Sequence, residues 1–437
     1  MGKTTQRQRG KTPVSPGRAL AAAAPAPSAP WHLQWLFVII VVDMLAVGMI
    51  VPLITPFTRE VGATPSQLGF LSSVYGFTQL LSSPVLGRLS DKMSRRTILV
   101  ISLIGGAVGY SILGMAHAIW MIVVSRLVVG IFRQTLTISK AWMADLSTLE
   151  NRGRNLSFFY ATVSMGFMVG PALGGQLAKA YGYRYPVLLS AALMFGVALA
   201  VSLVLPAGKL VETEKKSSGD KTNVDKTGTS WLEDFASLRP EVQKLLFVKL
   251  FQDCSVMLSR NGIFMLLEYR EEWDFDVANK GLIISLFSFV SVATQLVLVG
   301  PITRSFPDRY IVFCSAIWLV VAQLVCALAT NFRLFLLGIT VLSIGFAVMK
   351  VAMTNSLTIV AGESNRGEVF GVAGSITSLL RGAVPLLSGF LVEWYNPSLP
   401  GIVASFSVAV MAILSVFFVP LRRKRAPGPN SSGGKRE

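Results

Sequence analysis

The chain has 437 residues, of which 52% are hydrophobic and only 14% charged, and its mean hydropathy is +0.58. That balance excludes a soluble globular protein of this size and leaves a polytopic membrane protein. The formal net charge of +17 would suggest a nucleic-acid partner in a soluble chain, but here the cations sit between apolar runs, so they report topology and no nucleic-acid partner is expected.

Residues 1–32 are basic, contain an Ala/Pro run from Ala21 to Pro30 and lack a signal-peptide cleavage pattern. They predict a disordered cytoplasmic tail, with an organelle presequence as the alternative. Twelve apolar segments follow, six before and six after a polar insert. The first six are approximately 33–54, 67–86, 98–115, 118–138, 156–178 and 185–205. The second six are approximately 242–267, 281–302, 310–329, 334–353, 369–392 and 401–420. Most have the ~20-residue length of a membrane helix. The insert from Gly208 to Ser230 is rich in Lys, Asp, Ser, Thr and Gly, so residues 206–241 read as a cytoplasmic linker between a bundle at 33–205 and one at 242–420. Residues 421–437 form a second basic tail. Most of the 40 Lys/Arg fall in the tails and in one alternate set of loops; the other set holds Arg59, Lys179, Arg184, Arg270, Lys280 and Arg333. That asymmetry predicts an integral membrane protein with both termini cytoplasmic.

The two halves echo each other at a near-constant separation: Asp43 with Asp253, Lys140 with Lys350, Glu150-Asn151-Arg152-Gly153 with Ser364-Asn365-Arg366-Gly367, Pro171 with Pro385, and Gly175 with Gly389. Such a repeat implies an all-α fold of two six-helix bundles about a pseudo-twofold axis, with a site at their interface near mid-membrane.

Several polar residues lie inside these segments, where charge is costly and usually functional. Asp43 stands near the middle of the first segment, where desolvation favours the neutral acid; it is a candidate proton site, or else a carboxylate permanently paired with a cation. Tyr75 and Gln79 are cavity-lining candidates, or inter-helix hydrogen-bonding groups. Arg126, Arg133 and Lys140 recur every seven residues, which puts them within about 40° of one helical face. Arg133 is a candidate counter-ion for Asp43, and Lys140 a possible interfacial anchor. In the seventh segment Lys249 and Asp253 are spaced as an ion pair, whereas Arg260, and Arg381 in the eleventh, look unpaired and are candidate contacts for an anionic solute. Cys254, Cys314 and Cys326 fall in apolar runs and imply no disulfide framework. No His/Cys/carboxylate cluster has ligand spacing and no nucleotide-binding loop appears. No metal, no cofactor and no enzymatic activity are therefore expected.

Two motifs carry a family resemblance. Gly87-Arg88-Leu89-Ser90-Asp91-Lys92-Met93-Ser94-Arg95-Arg96 follows the pattern G-x-L-x-D-(K/R)-x-x-R-R and reads as a tight turn outside the bilayer. It resembles the loop between helices 2 and 3 of the major facilitator superfamily, with Ser94 where the family usually has Gly. The run Gly166-x3-Gly170-Pro171-x2-Gly174-Gly175 resembles helix 5 of that family's drug/proton antiporters, and Asp43-x4-Gly48-x3-Pro52 and Arg126-x3-Gly130 resemble helices 1 and 4 of proton-coupled members. The resemblance implies that Gly87, Asp91, Arg95, Arg96 and Asp145 form a cytoplasmic gate. It further implies that Gly166, Gly170, Pro171, Gly174 and Gly175 shape a hinge and that Asp43 and Arg126 serve proton coupling; with the residue-level candidates, Asp43, Gln79, Arg126, Arg133, Asp253, Arg260 and Arg381 are the expected proton-coupling and substrate cavity.

The expected function is secondary active transport of a small organic solute by alternating access, driven by a proton gradient with antiport favoured, in a functional monomer. The alternatives are an uncoupled facilitative transporter and a non-transporting receptor or scaffold with the same fold.

Overall fold

The computed structural model describes residues 31–147, 151–205, 238–269, 276–361 and 366–420. Residues 1–30 of the first expected tail, the second tail and most of the linker expected at 206–241 lie outside these residues, whereas Trp31 and His32 already belong to the first helix. The described residues hold fifteen α-helices and no strand. The first group comprises α1 (Trp31–Ile50), α2 (Ile54–Glu60), α3 (Pro65–Lys92), α4 (Arg95–Gly114), α5 (Ile119–Phe132), α6 (Thr135–Asp145), α7 (Arg152–Tyr181) and α8 (Arg184–Val204). The second comprises α9 (Pro240–Tyr269), α10 (Val277–Val297), α11 (Val299–Ser305), α12 (Asp308–Leu328), α13 (Phe332–Ala361), α14 (Arg366–Trp394) and α15 (Leu399–Phe418).

Ten stretches are long and apolar enough to cross a membrane. The two long helices that fall short are α3, of 28 residues, and α9, of 30 residues. Both are long enough to span the bilayer at ~1.5 Å per residue, and both lack apolarity because they carry Tyr75, Gln79, Lys249, Asp253 and Arg260. With them the described chain makes twelve crossings in two bundles. Each bundle has its own apolar core, one centred on Leu36, Ile40, Leu99, Leu103, Ile122 and Val201, the other on Leu245, Val312, Leu319, Phe335, Leu342 and Met411.

Three segments depart from the expected uninterrupted spans. The first runs through α1, a 3-10 turn at Val51–Leu53 that contains Pro52, and α2, because proline withholds a backbone donor. The fourth breaks at Arg133-Gln134, between α5 and α6, and the eighth breaks at Leu298 between α10 and α11. The break in the fourth disrupts the expected three-cation stripe: Arg126 and Arg133 are buried, whereas Lys140, on α6, is exposed with its ammonium 5.6 Å from the Tyr160 ring centroid.

The expected turn at 87–97 is also shorter than its sequence suggests. α3 continues through Lys92, and only Met93 and Ser94 leave the helix. Ser94 caps α4, its Oγ accepting from Thr97 N at 3.1 Å, and its φ of −71° is open to any L-residue, so glycine is not required there. At the other end of α3, Thr64 and Gln67 form a reciprocal capping box with Pro65 in the first turn.

Small residues bring helices together within and between bundles. Gly166, Gly170 and Gly174 of α7 lie directly against Met44, Leu45, Gly48 and Met49 of α1. Between bundles, Gly69 of α3 abuts the Pro385 carbonyl on α14, and Gly281 of α10 abuts the Pro171 carbonyl on α7. Gly175 meets Val277 and Ala278, just as Gly389 meets Pro65 and Gly69. The two seams are repeats of one another, as the pseudo-twofold requires. The end bearing the Met93-Ser94 turn shows the same symmetry. Arg96 of α4 donates to the Ser202 carbonyl near the end of α8, and Arg309 of α12 donates to the Val419 carbonyl after α15 at 2.5 Å, so an arginine covers open carbonyls at the last helix of each bundle.

Candidate functional site

The site grows from the broken span. With no helical partner at the break, the Gln134 N–H donates to Ser102 Oγ at 2.8 Å, the Gln134 side-chain amide reaches Ser82 Oγ at 3.2 Å and the Gln79 carbonyl at 3.3 Å, and the Arg133 carbonyl accepts from Gln79 Nε2 at 3.3 Å. Irregular backbone at membrane depth survives only where side chains satisfy it in this way. The consequence is a fixed Arg133, whose Nη2 lies 3.4 Å from Asp43 Oδ2 on α1.

Asp43 is 1% and Arg133 9% exposed, and Asp43 Oδ1 has no hydrogen-bond partner. The candidate proton site and its candidate counter-ion are therefore one buried pair. Arg133 also reaches the Tyr75 hydroxyl, and Tyr110 of α4 lies in electrostatic range of Asp43, Arg126, Arg133 and Tyr75. Tyr110 was missed by sequence reasoning, because a tyrosine in an apolar segment carries no signal of its own.

The other candidates arrive from both bundles. Gln79, near the middle of α3, accepts from Arg381 Nη1 on α14 at 2.8 Å. Arg260 of α9 is exposed and lies in electrostatic range of Arg381 and Tyr75. Arg126 is 5% exposed, and its Nε and Nη2 are buried without a partner; its electrostatic neighbours are Tyr110 and Tyr75. Arg126, Arg133 and Arg260 thus all lie in electrostatic range of Tyr75. Asp253 is engaged otherwise: Lys249 Nζ holds both its oxygens at 2.9 Å, and Thr377 Oγ1 donates to Oδ2 at 2.5 Å. A separate small, partly open pocket of about 20 Å³ lies in the second bundle, lined by Ser259, Gln323 and Cys326 among others. It holds no more than a single water.

The expected gate residues lie at the Met93-Ser94 end. Arg95 Nε pairs with Asp145 Oδ2 at 3.0 Å, and Arg96 turns to α8 as described. Both contacts stay within the first bundle. Gly87 and Asp91 belong to α3, but their side chains lie outside the described residues.

At the opposite end the bundles are tied by contacts that sequence reasoning missed. Arg59 Nη1 donates to the Glu268 carbonyl at 2.8 Å and lies 3.6 Å from its Oε1, while Lys280 Nζ holds Oε2 at 2.7 Å. Lys179 pairs with Asp276 at 2.7 Å, and Glu393 accepts from Ser66 N at 2.7 Å, at the first turn of α3. Among the described residues every hydrogen bond or ion pair between the bundles lies at this end or at mid-helix. The glycine-proline run of α7 supplies part of this seam, with Ala172 N donating to Ser285 Oγ at 2.9 Å.

The family model described as Major Facilitator Superfamily matches residues 36–253 and again 250–437. The tetracycline resistance protein, class D, of Salmonella ordonez is 27% identical over 89% of this chain and 96% of its own length. Multidrug resistance protein 1 of Bacillus subtilis is 25% identical over 86% of this chain and 93% of its own. Among solved structures, the human organic anion transporter MFSD10 superposes with a TM-score of 0.63 at 20% identity, covering 89% of this chain and 100% of that one. This last likeness establishes the fold alone.

Proposed function

The chain belongs to the Major Facilitator Superfamily, and from that premise we propose a secondary active transporter that exchanges a small organic solute for protons through Asp43. The observation that carries this reading is the buried Asp43–Arg133 pair, set beside groups contributed by both bundles. A proton arriving on Asp43 removes the charge that balances Arg133 and opens their contact. Proton occupancy thereby changes the charge of the cavity wall by one unit, and a bound species biases alternating access only as far as its affinity differs between states.

The excess of cations at the Met93-Ser94 end supports cytoplasmic termini. With that orientation, the inter-bundle contacts among the described residues lie on the outer side and at mid-helix. Relatives named for tetracycline and multidrug resistance support export, for which inward proton flow supplies the work. Both bundles of one chain contribute to the site, which supports a functional monomer. The hinge expected of Gly166, Gly170, Pro171, Gly174 and Gly175 becomes, in this reading, the α7–α10 seam about which the bundles rock.

The test is proton movement in sealed proteoliposomes holding an internal pH dye, with drugs, amino acids, organic anions and sugars added, for wild type and Asp43→Asn. Compounds that move protons with wild type and not with the variant support exchange through Asp43. Compounds that cross without protons, or equally in both proteins, make the transporter facilitative and the Asp43–Arg133 pair structural.

A further inference from the structure

The mid-membrane cations outnumber the carboxylates available to neutralise them. Asp43 is taken by Arg133, and Asp253 by Lys249 and Thr377. Arg126 has two buried nitrogens without a partner. Arg260 makes no hydrogen bond or ion pair among the described residues, and the partner of Arg381 is the neutral Gln79 side chain. An unbalanced guanidinium at bilayer depth is costly and persists only where water or an anion reaches it. Arg381 reaches Gln79 of the opposite bundle at 2.8 Å and Arg260 lies in electrostatic range of Tyr75 there, so both face the first bundle, Arg260 exposed and Arg381 partly so.

The two guanidinia come from helices that pack together beside them, Met257 and Leu258 of α9 meeting Leu380 and Val384 of α14, and they lie in electrostatic range of each other. Like charges brought together at this depth repel, and the arrangement becomes favourable when an anion lies between them. Gln79 occupies one nitrogen of Arg381 and so orients its plane, leaving the remaining donors of a fork that matches carboxylate, sulfonate or phosphate geometry. A cationic solute would meet the reverse: three uncompensated positive groups, with the mid-membrane carboxylates Asp43 and Asp253 already paired.

We propose that Arg260 and Arg381 form an anion subsite that receives the carboxylate, sulfonate or phosphate group of the solute, with Gln79 orienting Arg381 and Arg126 adding to the positive field. The inference rests on the transport reading for its biological use, but binding can be measured without transport. An organic anion leaving as a proton enters moves positive charge inward at both steps, which suits an inside-negative membrane.

The test uses the purified full chain in phosphatidylcholine nanodiscs, titrated calorimetrically with 2-naphthoate, succinate and phenyl phosphate, with the neutral 2-naphthamide, succinamide and phenol, and with 2-naphthylmethylamine. At least one anion is expected to bind about tenfold or more tightly than its neutral counterpart. Arg260→Gln and Arg381→Gln are each expected to weaken that anion about thirtyfold or more, and Arg381→Lys, which keeps the charge without the fork, less. The proposal is overturned if no anion exceeds its neutral analogue, if the amine binds best, or if both Gln variants with wild-type melting behaviour bind the anion unchanged. It is also overturned, in favour of a lipid headgroup, if phosphatidylglycerol in the nanodisc abolishes binding. Should the Gln variants not fold, the ligand series on wild type decides alone. Anion preference in wild type without Asp43-dependent proton movement would sink the exchange reading alone, and Asp43-dependent proton movement without anion preference would sink this subsite alone.

Discussion

At the scale of single residues, the Asp43–Arg133 pair is where stability and function meet. Removing one member of a buried pair strands the other charge, at a cost of about 3–5 kcal/mol. Arg133→Gln is therefore expected to destabilise the protein more than the double change Asp43→Asn/Arg133→Gln, which leaves two neutral amides in contact. Thermal melting in detergent reads the difference, and equal losses in the single and double variants would show that the two groups do not compensate each other. Ser102 carries a comparable structural duty: its Oγ accepts the Gln134 N–H at 2.8 Å in a buried setting. Ser102→Ala leaves that donor only the Phe132 carbonyl, at 2.8 Å, and is expected to cost about 0.5–1.5 kcal/mol. A melting temperature unchanged in Ser102→Ala would mean that the break does not depend on this contact.

Among elements, the broken fourth span and the two glycine seams matter most. The seven-residue cation spacing was legible in the sequence, but its meaning assumed a continuous helix. The break at Arg133-Gln134 sends Lys140 to an exposed position, and local propensity does not reveal it, because the side chains that satisfy the break come from α3 and α4. The seams make a symmetric prediction. A β-carbon on Gly69 or on Gly281 would meet a carbonyl of the opposite bundle, Pro385 or Pro171 respectively. Gly69→Val and Gly281→Val are both expected to shift the protein away from the state with this end closed. Double electron–electron resonance between labels at exposed Glu60→Cys and Tyr395→Cys, with Cys254, Cys314 and Cys326 replaced by Ser, should show longer distances in both. An effect of one glycine without the other would break the proposed equivalence of the seams.

For the whole molecule, the contacts of Arg59, Glu268, Lys280, Lys179, Asp276 and Glu393 hold the two bundles together at the end opposite the Met93-Ser94 turn. Lys179 beside Asp276 holds that carboxyl below its ordinary value. A carboxylate with a lowered value in the paired state contributes above the ordinary carboxylate range and loses its contribution as pH falls through the lowered value. The contact is exposed, so its worth is at most about 1 kcal/mol. Acidifying that face is expected to lengthen the label distances modestly, and Lys179→Gln to reduce this acid response, leaving the part carried by Glu393, whose carboxyl the Ser66 contact also holds below its ordinary value. Persistence of the full response in Lys179→Gln would place its origin elsewhere. Glu268→Gln, which weakens two cation contacts at once, is expected to open this end more than Lys179→Gln.

The sequence by itself determined the twelve crossings and the two-bundle repeat, because hydropathy, segment length and the matched pairs such as Pro171 with Pro385 are properties of the chain read in order. It also determined the Lys249–Asp253 pair, since residues four apart on a helix meet whatever surrounds them. Only the tertiary structure decided that Arg133 meets Asp43, that Arg381 meets Gln79 and that Glu268 joins Arg59 to Lys280. Those partners are distant in the chain and come together through the packing of whole helices. The physical reason is range: periodicity records what one helix does to itself, whereas the site and the seams are made where separate helices touch.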